Sequence, residues 1–595
     1  PERELLDLAA CCGFEFDPLL VGEVMGLDRI PLLKQLGQIE RKHRLVRSAG
    51  LRYVFDHHQV QEALYAALAE PLRREYHTAI GDALERRAGE DVERALATEL
   101  CDHYLRGREP ARALRYLPAA QTYLESQYVN DRAVTLAQRA LAEEGLLRGA
   151  QRADALVRLC GTLDRLGQRE LQEEAALEAV ALADASDDAA LQASAAGALG
   201  ILRLRAWRLD EAEAPLRREL ELAERLGDPR LRARVASHLG ALAQYRGRLD
   251  EAAEHYERAR ALGQELGDVE GQATAIGNLG MLRFVEGRLA EARDLFERQL
   301  DLSRELGDPD GEATALGSLD SVAFLQGRCD DAQQAYERSL ALYQQIGDRE
   351  GEAIAVANLA NMLRSLERHA EARDRYARAR ALAGEIGGGA VEVGVLANLG
   401  PVLLALGHTA EAEAMLQEAL ALARELGARH TEGHVLEDLG VVAWEEGDEA
   451  NAERLLSESL AVRREIQDAG GIAEVQIELA DLWRAQGEAD RARVALDEAL
   501  ALAREHDRRP QVAVALAMRA CLPGGDPRDA EAALEAVESP FHARRARWLL
   551  WTATQERRHL DAAKALLDAA AGHLPAADRS RFLVATRLSR AVGEA

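Results

Sequence analysis

The residues whose types and spacing suit chemistry at a surface are His430, His434 and Asp438, and a set of asparagines that recur in steps of 40. The two histidines and the aspartate fall at i, i+4 and i+8, so a helix begun early enough would carry all three on one face. Imidazole and carboxylate are metal ligands, but His430 lies in a loop region, before a helix is expected to start. A solvated or partner-facing patch is therefore expected there, and no metal. Asn278, Asn358 and Asn398 each offer an amide that donates and accepts hydrogen bonds at once. The neighbouring pair His57-His58 points apart on any helix or turn.

Catalytic constellations are missing. Lysine is limited to Lys34, Lys42 and Lys564, and no Gly-x-x-x-x-Gly-Lys phosphate loop occurs. Gly-x-Ser-x-Gly, His-Glu-x-x-His and the kinase set are likewise absent from the sequence. The expectation is a binding protein, not an enzyme, with no cofactor.

The elements that must position these residues follow from a period. Leu199-Gly200 recurs as Leu239-Gly240 and Leu279-Gly280, continues as Leu319-Asp320 and Leu359-Ala360, and returns as Leu399-Gly400 and Leu439-Gly440, with Leu479-Ala480 last. Seven residues on is a turn position, glycine at 247, 287, 327, 407, 447 and 487 but Trp207 and Glu367 elsewhere. Ala212 to Ala492 and then Leu216, Tyr256, Phe296, Tyr336, Tyr376, Leu416, Leu456 and Leu496 keep the same step. Each unit reads as two helices, the first ended by glycine and the next begun by aspartate, as in Leu226-Gly227-Asp228-Pro229. A pair with one apolar side exposed can bury it only on the next pair, so the array is a solenoid.

This pattern resembles the tetratricopeptide repeat, in its 40-residue form, from about Ala190 to His506. The resemblance implies an all-α, right-handed solenoid of stacked helix pairs, like the arrays of spindle-orienting adaptors and bacterial regulators. It also implies that the first helix of each pair faces a concave groove. The column two residues before the Leu-Gly glycine is then His238, Asn278, Ser318, Asn358, Asn398, Asp438 and Glu478. In related arrays an asparagine there grips an extended peptide; packing within the repeat is the alternative. Met281, Phe284, Phe324, Asn361, Arg364, Leu404 and Trp444 would lie beside that column. Glu437, Glu445, Glu474 and Asp481 make the later wall acidic, which favours a protein or peptide with a basic or neutral segment.

Before the array, residues 1–87 lack the period. Three helices precede a hairpin, Leu45 to Arg47 and Leu51 to Phe55, and suggest a small winged-helix-like domain. Phe55-Asp56-His57-His58 running into Glu62-Ala63-Leu64-Tyr65 resembles the passage from winged helix to sensor array in STAND-type signalling ATPases. That resemblance implies a sensor arm, with a partner ATPase domain expected before Pro1; a plain scaffold is the alternative. Lys34, Arg41, Lys42, Arg44, Arg47 and Arg52 form a basic cluster, expected to be solvated or docked on a neighbouring domain.

The expected division is thus 1–87, irregular repeats at 88–190, the regular array at 191–506, and divergent helices capping the end at 507–595. A net charge of -28 opposes nucleic acid as the main partner. Six scattered cysteines without a framework point to a reducing cytoplasm, and no apolar run is long enough to span a bilayer.

Overall fold

The computed structural model describes residues 2–89, 93–325, 329–386, 389–506, 508–537 and 539–595. It divides into two compact units, residues 1–163 with 174–191, and residues 164–173 with 192–595.

In the first unit, helix Glu2–Cys12 leads into β1 (Glu15–Phe16), and helices Pro18–Met25 and Arg29–His43 lead into β2 (Val46–Ala49) and β3 (Arg52–Phe55). The hairpin forms in the stretch the sequence indicates, but Ser48 and Ala49, expected in the turn, extend β2, with Ala49 opposite Arg52. β1 adds a third strand on the other side of β3, Glu15 opposite Val54. Two residues are too few to show an alternation, so β1 has no sequence signature. Phe16 and Phe55 are fully buried and their rings lie 5.5 Å apart. Their cluster continues through Ile80 and Tyr104 to Leu124, which joins the small sheet to the helices that follow.

The second unit is an all-α solenoid. Eight helix pairs follow one another from Ala189–Arg205 with Leu209–Leu226 to Ala469–Ala485 with Ala489–Glu505. The repeat chemistry works as its spacing predicts. Asp228, Asp268, Asp348 and Asp468 each accept a backbone N–H in the first turn of the helix they precede. The eight bulky second-helix residues, Leu216 to Leu496, are all buried. The Leu-Gly glycines face them: a Cβ on Gly240 would stand 2.5 Å from the Tyr256 ring, and one on Gly280 2.6 Å from Phe296. In those repeats a Cβ would force the facing side chain to shift, while Ala360 and Ala480 stand in the same position of repeats that accommodate a methyl group.

Two substitutions of the turn glycine are instructive. Trp207 and Glu367 both adopt φ 57°, the left-handed conformation that glycine takes at 247 and 287. Such a backbone costs a residue with a Cβ roughly 1–2 kcal/mol, so each must gain elsewhere. Trp207 packs against Val393, Ala423 and Ala428, and Glu367 pairs with Arg544. Nearby, a Cβ on Gly167 would meet Ile386 at 2.4 Å, and Arg169 pairs with Glu350 across 181 residues. Repeats far apart in sequence therefore touch, as in a coil wound tightly enough for its turns to meet. The turn position Gly327 lies outside the described residues.

Beyond the array the chain does more than cover the last repeat. Helices Arg509–Ala520, Arg528–Leu534 and Pro540–Thr554 continue the stack, and Pro540–Thr554 also reaches Glu367 and Glu478 through Arg544 and Arg545. Arg557–Gly572, Ala576–Ala585 and Arg587–Glu594 pack with side chains of earlier repeats. Leu567, Leu574, Phe582 and Val592 join the same apolar cluster as Leu363, Leu404 and Trp444. No helix among the described residues is long and apolar enough to cross a membrane.

Candidate functional site

The first helices of successive pairs carry the polar column. Asn278, Asn358 and Asn398 sit in helices Val269–Val285, Arg349–Ser365 and Gly389–Ala405, each half-buried. Their situations differ. Asn398 donates its amide N–H to the Gly394 carbonyl of its own helix at 2.9 Å, which is packing within the repeat. Asn278 and Asn358 make no side-chain hydrogen bond among the described residues, which leaves both ends of each amide available. Beside them Met281 and Val285 are exposed, while Phe284 leans on the cluster of Phe296 and Val322. The side chain of Phe324 lies outside the described residues.

Further along, Asn361 accepts the Tyr376 hydroxyl at 2.5 Å. Arg364 lies among charges: its Nε has no hydrogen-bond partner among the described residues, and it acts on both His434 and Asp438. Helix Arg429–Glu446 begins in time to include His430 in its first turn. The two histidines nevertheless engage separate carboxylates, His430 with Asp468 at 3.7 Å and His434 with Asp438 at 3.5 Å. Burial, opposed by Arg364, pushes the Asp438 carboxyl up to about 7. Burial, reinforced by Arg364 and Arg463, pulls His434 down to about 4. Between those values both side chains are neutral, and Asp438 becomes anionic as pH rises through about 7.

The acidic residues Glu437, Glu478 and Asp481 are met by basic groups from the chain itself. Arg463, almost fully buried, reaches Glu437 at 2.6 Å and Asp468 at 2.9 Å. Arg545, in helix Pro540–Thr554, bonds Glu478 at 3.0 Å and Asp481 at 3.2 Å. Burial alone would raise Asp481, but Arg545 and Arg484 outweigh it and hold this carboxyl below its usual range. Arg587 stacks its guanidinium 4.4 Å from the Trp444 ring centre and donates its backbone N–H to Glu445 at 2.7 Å. Trp444, expected to present an apolar surface to a ligand, is thus covered by the chain's own C-terminal helix. Sequence reasoning missed these arginines, because nothing in their spacing names their partners; Glu367 in a glycine position was the one available sign.

Among the described residues, the carboxylate and histidine atoms that converge closely enough to hold a metal belong to Glu531, Glu556 and His559. Glu531 is already shared by His559 at 3.1 Å and by Arg558, while Arg547 lies 3.4 Å from the other ring nitrogen. Guanidinium groups occupy the place of a cation.

These repeats define the chain's class, an all-α tetratricopeptide-repeat solenoid. The model of the tetratricopeptide repeat family matches residues 271–345, 321–385 and 392–465. No curated protein matches the sequence. Among solved structures, it is similar to a signal transduction ATPase with numerous domains carrying a tetratricopeptide repeat sensor, from Pyrococcus horikoshii. Identity is 14% and the TM-score 0.35, over 77% of this chain and 62% of that one, so the chain spans under two thirds of that protein. It is also similar to a Rap protein complexed with competence and sporulation factor, at 15% identity and TM-score 0.40, over 68% of this chain and 97% of that one. A Rap conjugation gene regulator of the plasmid pLS20, solved with a peptide, aligns at 13% identity and TM-score 0.41, over 55% and 95%.

Proposed function

We propose that this chain is the protein- or peptide-binding arm of a STAND-like signalling regulator, and that the ligand lies along the inner column of first helices. In this reading residues 1–87 form a winged-helix-like segment, 88–190 irregular repeats, 191–506 the binding array and 507–595 its divergent end. The ATPase would precede Pro1, and the setting would be the cytoplasm. Binding, rather than catalysis, is its role.

The observation that carries the reading is the pair Asn278 and Asn358. Both are half-buried on first helices two repeats apart, with amides unengaged among the described residues, and Met281 exposed beside the first. Amides that donate and accept suit an extended backbone, and exposed apolar groups suit its side chains. The test is capture of partners from the native host by parent and by the Asn278→Ala/Asn358→Ala chain. Alanine favours the helix, so the fold is kept. Losing two hydrogen bonds, each worth about 0.5–1.5 kcal/mol net, should weaken capture several-fold; equal capture would place the partner elsewhere.

A further inference from the structure

The first unit carries a surface unlike the rest of the chain. Between Arg29 and Ala49 stand Arg29, Lys34, Arg41, Lys42, Arg44 and Arg47 against one carboxylate, Glu40, in a chain whose net charge is -28. Glu40 is itself engaged, accepting the Ser48 backbone N–H at 3.1 Å. All six cations are exposed, and none forms an ion pair or a side-chain hydrogen bond among the described residues. Elsewhere arginines are met by carboxylates, as Arg463 and Arg545 are. Helix Arg29–His43 turns Leu32, Leu36 and Ile39 inward, where they are buried. On its opposite side Ile30, Lys34, Gln38 and Arg41 follow at i, i+4, i+8 and i+11, one exposed ridge about 17 Å long. Gln38 makes no side-chain hydrogen bond among the described residues, and Ile30 is 67% exposed. Arg44 and Arg47 continue beyond the helix end, at its cap and on β2.

We infer that this ridge is a binding site for duplex DNA, with helix Arg29–His43 in the major groove and Arg44 and Arg47 on the phosphates. The inference goes beyond the peptide-binding reading and uses none of its residues. A B-form major groove is about 12 Å wide and admits one α-helix. The ridge offers what base edges bind: Lys34 and Arg41 donate to guanine, Gln38 donates and accepts as adenine requires, and Ile30 meets a thymine methyl. An acidic protein surface would call for the cations alone, whereas the free amide and the isoleucine among them suit base edges. The cations at the helix end release counterions from the phosphates. Repulsion from the acidic remainder of the chain is screened beyond a Debye length, about 8 Å at physiological salt, so the sign of this face governs the contact. Duplex RNA fits poorly, because its major groove is too deep and narrow for side chains to read.

The experiment uses the full chain and a labelled, random-sequence DNA duplex of about 24 bp, read by fluorescence anisotropy at salt from about 50 to about 200 mM. The parent should bind, with affinity falling steeply as salt rises. Lys34→Gln/Arg41→Gln/Arg47→Gln should bind at least about tenfold more weakly at the lowest salt, with the slope of log K against log salt reduced by about 2–3. Arg225→Gln/Arg258→Gln/Arg298→Gln makes the same change of charge on the solenoid and should bind as the parent does. All six positions are exposed, so both chains keep their packing. Gln38→Ala should keep the salt slope and weaken the sequence preference recovered by selection from the duplex pool. A parent that leaves DNA unbound, or equal affinity in the parent and both triple variants, would overturn the inference. So would equal loss in the two triple variants, or duplex RNA, polyglutamate or phosphatidylserine vesicles bound as tightly as DNA. None of these outcomes depends on a host partner, so the Asn278/Asn358 reading stands or falls separately.

Discussion

Arg544 and Glu367, 177 residues apart, form an ion pair whose side chains are 4% and 3% exposed, with Nη2 2.7 Å from Oε1. Glu367 occupies a turn position where most repeats carry glycine, and it keeps the left-handed φ of 57°. The pair fastens the returning C-terminal helices to the fifth repeat. Burial raises the Glu367 carboxyl, while Arg544 opposes the rise.

Removing one partner leaves the other buried and uncompensated. Arg544→Ala is expected to cost about 3–5 kcal/mol, read as a lower urea midpoint and faster exchange around 367 and 540–554. Glu367→Gly/Arg544→Leu should recover most of that loss, because the charge is gone and glycine relaxes the turn. A double variant as unstable as Arg544→Ala would remove this role from the pair.

Stacking predicts a cost for Tyr336→Ala. The ring is buried, and its hydroxyl lies 3.1 Å from the Ser321 hydroxyl. Truncation should cost about 3–5 kcal/mol and loosen the neighbouring repeats in hydrogen exchange. A denaturation curve superposing on the parent's would contradict the register.

Asp320 predicts a pH dependence. It stands where other repeats have a packing glycine, 3% exposed, with Oδ2 unpartnered among the described residues. Burial pushes its carboxyl from 3.8 up to about 8, with Arg338 opposing. A folded value above the unfolded one means that its contribution is fully present below about pH 4 and lost as pH rises through about 8. Asp320→Gly should therefore melt higher than the parent at pH 8.5, with the gap narrowing at pH 5. A gap independent of pH would show that Asp320 does not titrate in the fold.

Much of this was legible in the sequence, for a physical reason. A solenoid repeats its contacts, so Leu239, Gly240, Ala252 and Tyr256 state the packing of one pair and the period multiplies it. Trp207 and Glu367 broke that pattern and mark contacts between distant repeats. The return of the C-terminal helices was not legible, because guanidinium–carboxylate pairs follow no period and Arg545, Arg587 and Arg590 look like any solvated helical arginine. The column divided similarly: Asn398 and Asn361 serve their own repeats, which residue type alone does not reveal.

The most direct test of the binding column places a photoreactive benzoylphenylalanine in the full chain, at Met281 in one variant and at Glu257 in another. Met281 is exposed beside Asn278 on a first helix; Glu257 is exposed on the second helix Leu249–Leu266. After irradiation in the native host, the account predicts a discrete crosslinked partner from position 281, absent from position 257 and reduced by Asn278→Ala/Asn358→Ala. A partner captured from 257 and not from 281 would contradict it.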